Sequence, residues 1–121
     1  MRDAIAITGA SGWVGRLLMP RLSRHGLPLI LVGRDRVRLA EIFPGHEAVD
    51  YEGLLAVLPR CRAVVHLAVM NNDRSGIAEE FRSINVDFLF DVAEMARSEN
   101  VPLFINATTV HALDPSRYDP Y

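Results

Sequence analysis

The chain has 121 residues, is 50% hydrophobic and 23% charged, and carries a formal net charge of −2, the profile of one globular domain with a core of its own. That balance argues against nucleic-acid or membrane-surface partners, and no apolar run reaches the length of a membrane span. All 13 basic residues are arginine, so chemistry that needs an amine side chain cannot be completed by these residues. The lone cysteine, Cys61, rules out an internal disulfide and a cysteine metal cluster. It stands between Arg60 and Arg62, which could lower its pKa, although a plain surface or core thiol is the simpler reading. A cleavable signal pattern is missing from the N-terminus, which leaves a cytoplasmic location as the default expectation.

The apolar run Ala4–Thr8 predicts a buried strand. It leads into Thr8-Gly9-Ala10-Ser11-Gly12-Trp13-Val14-Gly15, a G-x-x-G-x-x-G turn followed by helical periodicity at Val14, Leu17, Leu18 and Leu22. On a strand-to-helix turn this spacing suits a dinucleotide pyrophosphate. Gly9 permits the tight turn, Gly12 lets the backbone approach phosphates, and Gly15 lets the helix pack closely. Free N–H groups of Ser11, Trp13 and Val14 and the positive helix end then face the anion. A tight βα turn that binds nothing is the bland alternative, and the repeating βα units beyond argue against it.

The helix should stop near His25-Gly26, with Pro20 able to kink it. Leu29–Val32 reads as a second strand, Arg36–Ile42 as a short helix before Pro44-Gly45, and Glu47–Val49 as a weak third strand. Tyr51–Leu58 predicts a helix ended by Pro59, and Ala63–Leu67 a fourth strand. After a polar loop from Asn71 to Gly76, Phe81, Phe88, Leu89, Val92, Ala93 and Ala96 share one face of the longest helix. Leu103–Ala107 completes a fifth strand, and the tail from Leu113 is rich in proline and polar residues. Short buried strands alternating with helices predict an α/β, Rossmann-like three-layer sandwich with a parallel sheet in the order 3-2-1-4-5, truncated after strand five.

Several residues fall where such a sheet presents its ligand edge. Arg34, at the end of strand two, would pair with the 2′-phosphate of NADP; an acidic residue there would instead bind the ribose hydroxyls of NAD. Asp35 beside it either complicates that pairing or caps the next helix. Asp50 and Tyr51 follow strand three and either line an adenine pocket or start the helix. His66, Leu67, Ala68 and Val69 end strand four opposite the glycine turn, His66 being readable as a hydrogen-bonded core histidine. Asn85, on the inward face of the long helix, either satisfies nearby backbone or reaches the cofactor. Asn106-Ala107-Thr108-Thr109 ends strand five with hydroxyls placed to polarise a carbonyl.

Together the glycine turn, Asp50, Val65-His66-Leu67-Ala68, Asn85-Val86 and Val101 to Thr109 resemble the short-chain dehydrogenase/reductase superfamily, in particular its extended branch of NAD(P)-dependent epimerases, dehydratases and sugar-nucleotide reductases. The resemblance covers essentially the whole chain. It implies an NAD(P)-binding Rossmann domain over 1–121, NADP as cofactor with NAD as the alternative, and a small-molecule substrate. It also implies a Ser or Thr working with a Tyr-x-x-x-Lys element, carried over here to Thr108 and to Tyr121, thirteen residues later. Thr109 and Tyr118 are weaker candidates. No residue stands where the lysine would follow, so the chain is expected to be the N-terminal part of a longer protein, with a homo-oligomer of that protein left open. The implied activity is oxidoreduction or epimerisation/dehydration at a hydroxyl or carbonyl of a sugar-like or small alicyclic substrate; the alternative is a non-catalytic dinucleotide-sensing regulator on the same fold.

Overall fold

A computed structural model describes residues 1–68 and 86–107. Strands β1 (Ala4–Thr8), β2 (Leu29–Val32), β3 (Glu47–Val49), β4 (Cys61–His66) and β5 (Leu103–Asn106) form one sheet in the order β3-β2-β1-β4-β5. Every pairing is parallel, so the predicted architecture and strand order are those observed. The described helices are α1 (Trp13–Arg24), α2 (Arg36–Ile42), α3 (Tyr51–Val57) and α4 (Phe88–Ser98). None of them is long and apolar enough to cross a membrane.

Successive side chains of a strand point to opposite faces, and here they feed two cores. Ala4, Ala6, Ile30, Val32 and Val64 pack with Leu54 and Val57 of α3 and with Val92 and Ala96 of α4. Ile7, Leu29 and Leu31 pack on the other face with Met19 of α1 and Leu39 of α2. Helices therefore cover both faces, which is why β2 is apolar and buried at every position, Leu29 to Val32.

Local chemistry sets the element ends. α1 runs through Pro20 and stops where Gly26 takes φ +67°, the left-handed conformation of a helix C-terminus. Asp35 Oδ1 accepts the Arg38 N–H at 3.0 Å to start α2, and Asp50 Oδ1 accepts the Gly53 N–H at 2.8 Å to start α3. Pro59 does not end the third helix abruptly as expected. α3 closes at Val57 and the chain tightens into a 3₁₀ turn, Leu58–Arg60, where proline near the start loses no hydrogen bond.

Two strand expectations are corrected. β4 begins at Cys61 rather than Ala63, because Ala4 pairs with Cys61 while Ile5 pairs with Ala63. Arg62 is the extra residue of a bulge and stays exposed, which hides the first strand position from the apolar pattern. β5 ends at Asn106, and its Leu103 and Ile105 remain 51% and 46% exposed, so this strand is not buried on both faces among the described residues.

Arg2 joins distant parts of the structure. Its guanidinium donates to the carbonyls of Leu58, Cys61 and Glu99, tying the 3₁₀ turn, β4 and the end of α4 together.

Candidate functional site

Parallel strands place all their carboxyl ends at one edge, and β1 and β4 meet there at Thr8 and His66. The glycine turn leaves β1 at this edge. Gly9 adopts φ +72°, and a Cβ on it would lie 2.7 Å from both the Ala68 nitrogen and the Leu67 carbonyl carbon. Glycine is required twice over, by conformation and by the close approach of β4's end. A Cβ on Gly15 would collide with the Ala10 carbonyl group, so α1 packs directly on the turn.

Gly12 is different. Its φ of −73° suits any residue, and among the described residues a Cβ there would meet only the Gly9 carbonyl oxygen, a tight contact at 3.3 Å. Gly12 caps α1 with no side-chain hydrogen bond, and the first backbone donor that returns to the cap is Arg16 N–H, on the Gly12 carbonyl at 2.9 Å. The N–H groups of Trp13, Val14 and Gly15 precede the first intrahelical bond and point out of the helix end. Donors so placed, with the positive end of a twelve-residue helix behind them, can act chemically as a cradle for an anion. Ser11, Trp13 and Val14 are all exposed around it.

Beneath the turn, Thr8 and His66 form a buried pair, Thr8 Oγ1 lying 2.7 Å from His66 Nδ1. The same Thr8 oxygen accepts the Leu67 N–H at 3.1 Å and the Ala68 N–H at 3.3 Å. Burial pushes the His66 imidazole below its ordinary pKa, because an imidazolium there would lose its hydration. His66 is thus the hydrogen-bonded core histidine of the simpler reading.

At the rim, Arg34 is exposed just after β2, and Gly33 N–H is held by the Val49 carbonyl. The Asp35 carboxylate is engaged in its cap, so it serves the start of α2. Asp50 is likewise a helix cap. Half-buried Tyr51 meets Phe88 edge-on at 4.6 Å; burial raises its hydroxyl pKa, and the nearby Arg34 charge opposes that rise. Arg34 and Tyr51 therefore share one neighbourhood. Val69, Asn85, Thr108 and Tyr121, with Thr109 and Tyr118, lie outside the described residues.

Sequence reasoning missed two features. Arg16 folds back so that its Nε donates to the Ser11 carbonyl at 2.7 Å, bringing a cation beside the turn. Its position one residue past the last glycine was the available signal. The Thr8 hydroxyl has no sequence signal, because its partners lie 58 to 60 residues away. Cys61, by contrast, is a core thiol whose pKa is raised by burial despite Arg60 and Arg2. A cavity of about 390 Å³ lies at the opposite, amino-terminal edge of the strands, lined in part by Asp3, Ser23, His46, Glu47 and Arg60. Four of these five polar side chains pair with each other, Arg60 with Glu47 at 2.7 Å and Ser23 with His46 at 3.2 Å.

The sequence profile of the NAD dependent epimerase/dehydratase family matches residues 5–120. No curated protein matches the chain. Among solved structures it is similar to a putative NAD-dependent epimerase/dehydratase from Bacillus halodurans, with TM-score 0.80 and 20% identity over 94% of this chain and 55% of that one. A short-chain dehydrogenase/reductase superfamily protein from Agrobacterium tumefaciens, solved with bound NAD, gives TM-score 0.74 and 21% identity over 94% of this chain and 35% of that one. A UDP-N-acetylglucosamine 4-epimerase from Bacillus cereus gives 0.71 and 24% over 88% and 36%. The chain thus spans roughly a third to just over half the length of these structures.

Proposed function

Because this chain belongs to the NAD dependent epimerase/dehydratase family, we propose that it is the dinucleotide-binding part of an oxidoreductase or epimerase/dehydratase acting on a hydroxyl or carbonyl of a sugar-like or small alicyclic substrate. The observation that carries this reading is the cradle itself: Gly9 and Gly15 fixed by close contacts, an exposed Gly12 with no side chain over the helix start, and outward N–H groups at the start of α1. These residues fit a pyrophosphate, since small backbone-only surfaces and free donors are what such an anion needs. When bound, the nicotinamide supplies a hydride acceptor or donor.

The residues of this chain divide the remaining work. Gly9, Ser11, Gly12, Trp13, Val14 and Gly15 hold the pyrophosphate. Arg34 selects NADP by meeting its 2′-phosphate with a planar guanidinium, and the capping of Asp35 keeps that carboxylate occupied elsewhere. Tyr51, with Asp50 beside it at the cap of α3, bounds the adenine side, while Leu67, Ala68, Val69 and Asn85 bound the other. Thr108 polarises the substrate oxygen and Tyr121 moves its proton.

The test is to titrate NAD and NADP into wild type and Arg34→Ala, and to assay the intact protein for nicotinamide reduction and for epimerisation over nucleotide sugars, aldoses and alicyclic alcohols. The expected result is binding and turnover, with the NADP preference lost in Arg34→Ala. Binding without any turnover contradicts the catalytic assignment and favours a dinucleotide sensor. An unchanged preference in Arg34→Ala contradicts the 2′-phosphate assignment.

A further inference from the structure

Hydrogen-bond counting at Thr8 fixes more than a core contact. A threonine hydroxyl has one proton and two lone pairs. Both lone pairs are taken by the Leu67 and Ala68 N–H groups, which converge on Oγ1 at 3.1 Å and 3.3 Å. The hydroxyl proton must then point along the remaining short contact, the 2.7 Å separation to His66 Nδ1. That nitrogen is therefore an acceptor without a proton, and a neutral ring so bound carries its proton on Nε2. Nε2 is buried and has no hydrogen-bond partner among the described residues. The ring lies instead among the aromatic faces of Phe88, at 5.7 Å between centroids, and Phe104, at 6.2 Å.

The atoms held by this arrangement are the ones that shape the cradle. The Leu67–Ala68 backbone, tied down by the Thr8 hydroxyl, is the surface that a Cβ on Gly9 would strike. The Leu67 N–H also reaches the Thr8 carbonyl at 3.1 Å, so one amide bridges both acceptors of the same residue. Were Nδ1 protonated, it would set a donor against the Thr8 hydroxyl, and the hydroxyl would have to turn away from its amides or lose its proton's partner. We infer that His66, as the neutral tautomer with its proton on Nε2, is a positioning residue: it accepts the Thr8 hydroxyl and so sets the Leu67–Ala68 backbone against Gly9 at the floor of the anion cradle. The inference rests on the dinucleotide reading of that cradle.

The test pairs a spectroscopic readout with binding in the intact protein. Ring ¹⁵N shifts of His66 report the tautomer without any ligand, and NAD and NADP titrations report the cradle. His66→Asn offers an amide oxygen near the place of Nδ1, whereas His66→Leu offers no acceptor. The expected results are an Nε2–H ring in wild type, dinucleotide affinity within roughly threefold of wild type for His66→Asn, and roughly tenfold weaker binding for His66→Leu. Should His66→Leu fail to fold, Thr8→Val removes the same hydroxyl bond at nearly equal volume and is expected to show the same loss. An Nδ1–H or charged ring overturns the inference, as does undiminished binding by folded His66→Leu or by Thr8→Val. Wild-type protein that binds neither NAD nor NADP overturns the reading of the cradle itself, whatever the tautomer.

Discussion

Gly9 shows how one residue serves conformation and contact at once, and a paired substitution separates the two. Gly26 has nearly the same φ, +67° against +72°, but among the described residues nothing lies within 4 Å of where its Cβ would stand. Gly26→Ala should therefore cost about 1–2 kcal/mol, the penalty of a left-handed alanine. Gly9→Ala should cost about 2–4 kcal/mol, because the methyl group must also displace Leu67 and Ala68 backbone. Urea denaturation checks this through the midpoints at constant slope; equal losses would mean that β4's end yields freely. His66 makes a second residue-scale prediction. Burial lowers its folded-state pKa, so the unfolded chain binds a proton first as the pH falls through about 6.5. The stability it contributes is complete above that pH and is lost as the pH drops toward the folded value. The melting temperature of wild type should fall further between about pH 7 and about pH 5 than that of His66→Asn, and parallel curves would contradict this.

Caps and boundaries decide how the elements deliver these residues. Asp50 was readable as either an adenine contact or a helix start, and its 2.8 Å bond to the Gly53 N–H establishes the cap. Asp50→Ala should cost about 1 kcal/mol in denaturant, and Asp50→Asn, which keeps the acceptor, only a few tenths. A large loss in Asp50→Asn would mean that the carboxylate charge itself is needed. The elements were legible where a local pattern had one physical cause. The uniformly apolar β2 and the glycine that stops α1 are examples, since buried parallel strands and left-handed C-termini leave little choice of residue. They were illegible where a long-range pairing decided. Arg62 bulges out of β4 because of its register against β1, and no run of residues around it announces that. The site divides the same way: the tight turn at Gly9 and the close packing at Gly15 could be read from the glycine spacing, while the Thr8–His66 bond joins residues 58 positions apart and needed the fold.

On the scale of the whole molecule, the parallel order β3-β2-β1-β4-β5 brings the glycine turn, Arg34, Tyr51 and the Leu67–Ala68 backbone to one edge. Arg2 and the cavity residues gather at the other, where Arg2 binds backbone carbonyls, Arg60 pairs with Glu47 and Ser23 with His46. The two edges thus differ: side-chain pairs line the cavity at one, and the other carries the outward N–H groups at the start of α1, which have no partner among the described residues. The central claim is that those donors hold a dinucleotide pyrophosphate, and Gly12→Asp tests it most directly. Aspartate is a favoured helix cap and Gly12 has an ordinary φ, which offsets the tight 3.3 Å approach of the new Cβ to the Gly9 carbonyl oxygen, so the substitution should leave the melting temperature within a few degrees of wild type. Its carboxylate would meanwhile stand in the cradle with the same charge as the phosphates. Calorimetric titration of NAD and NADP into both proteins should give binding to wild type and at least roughly a hundredfold loss in folded Gly12→Asp. Equal binding by the two proteins, or none by wild type, would contradict it.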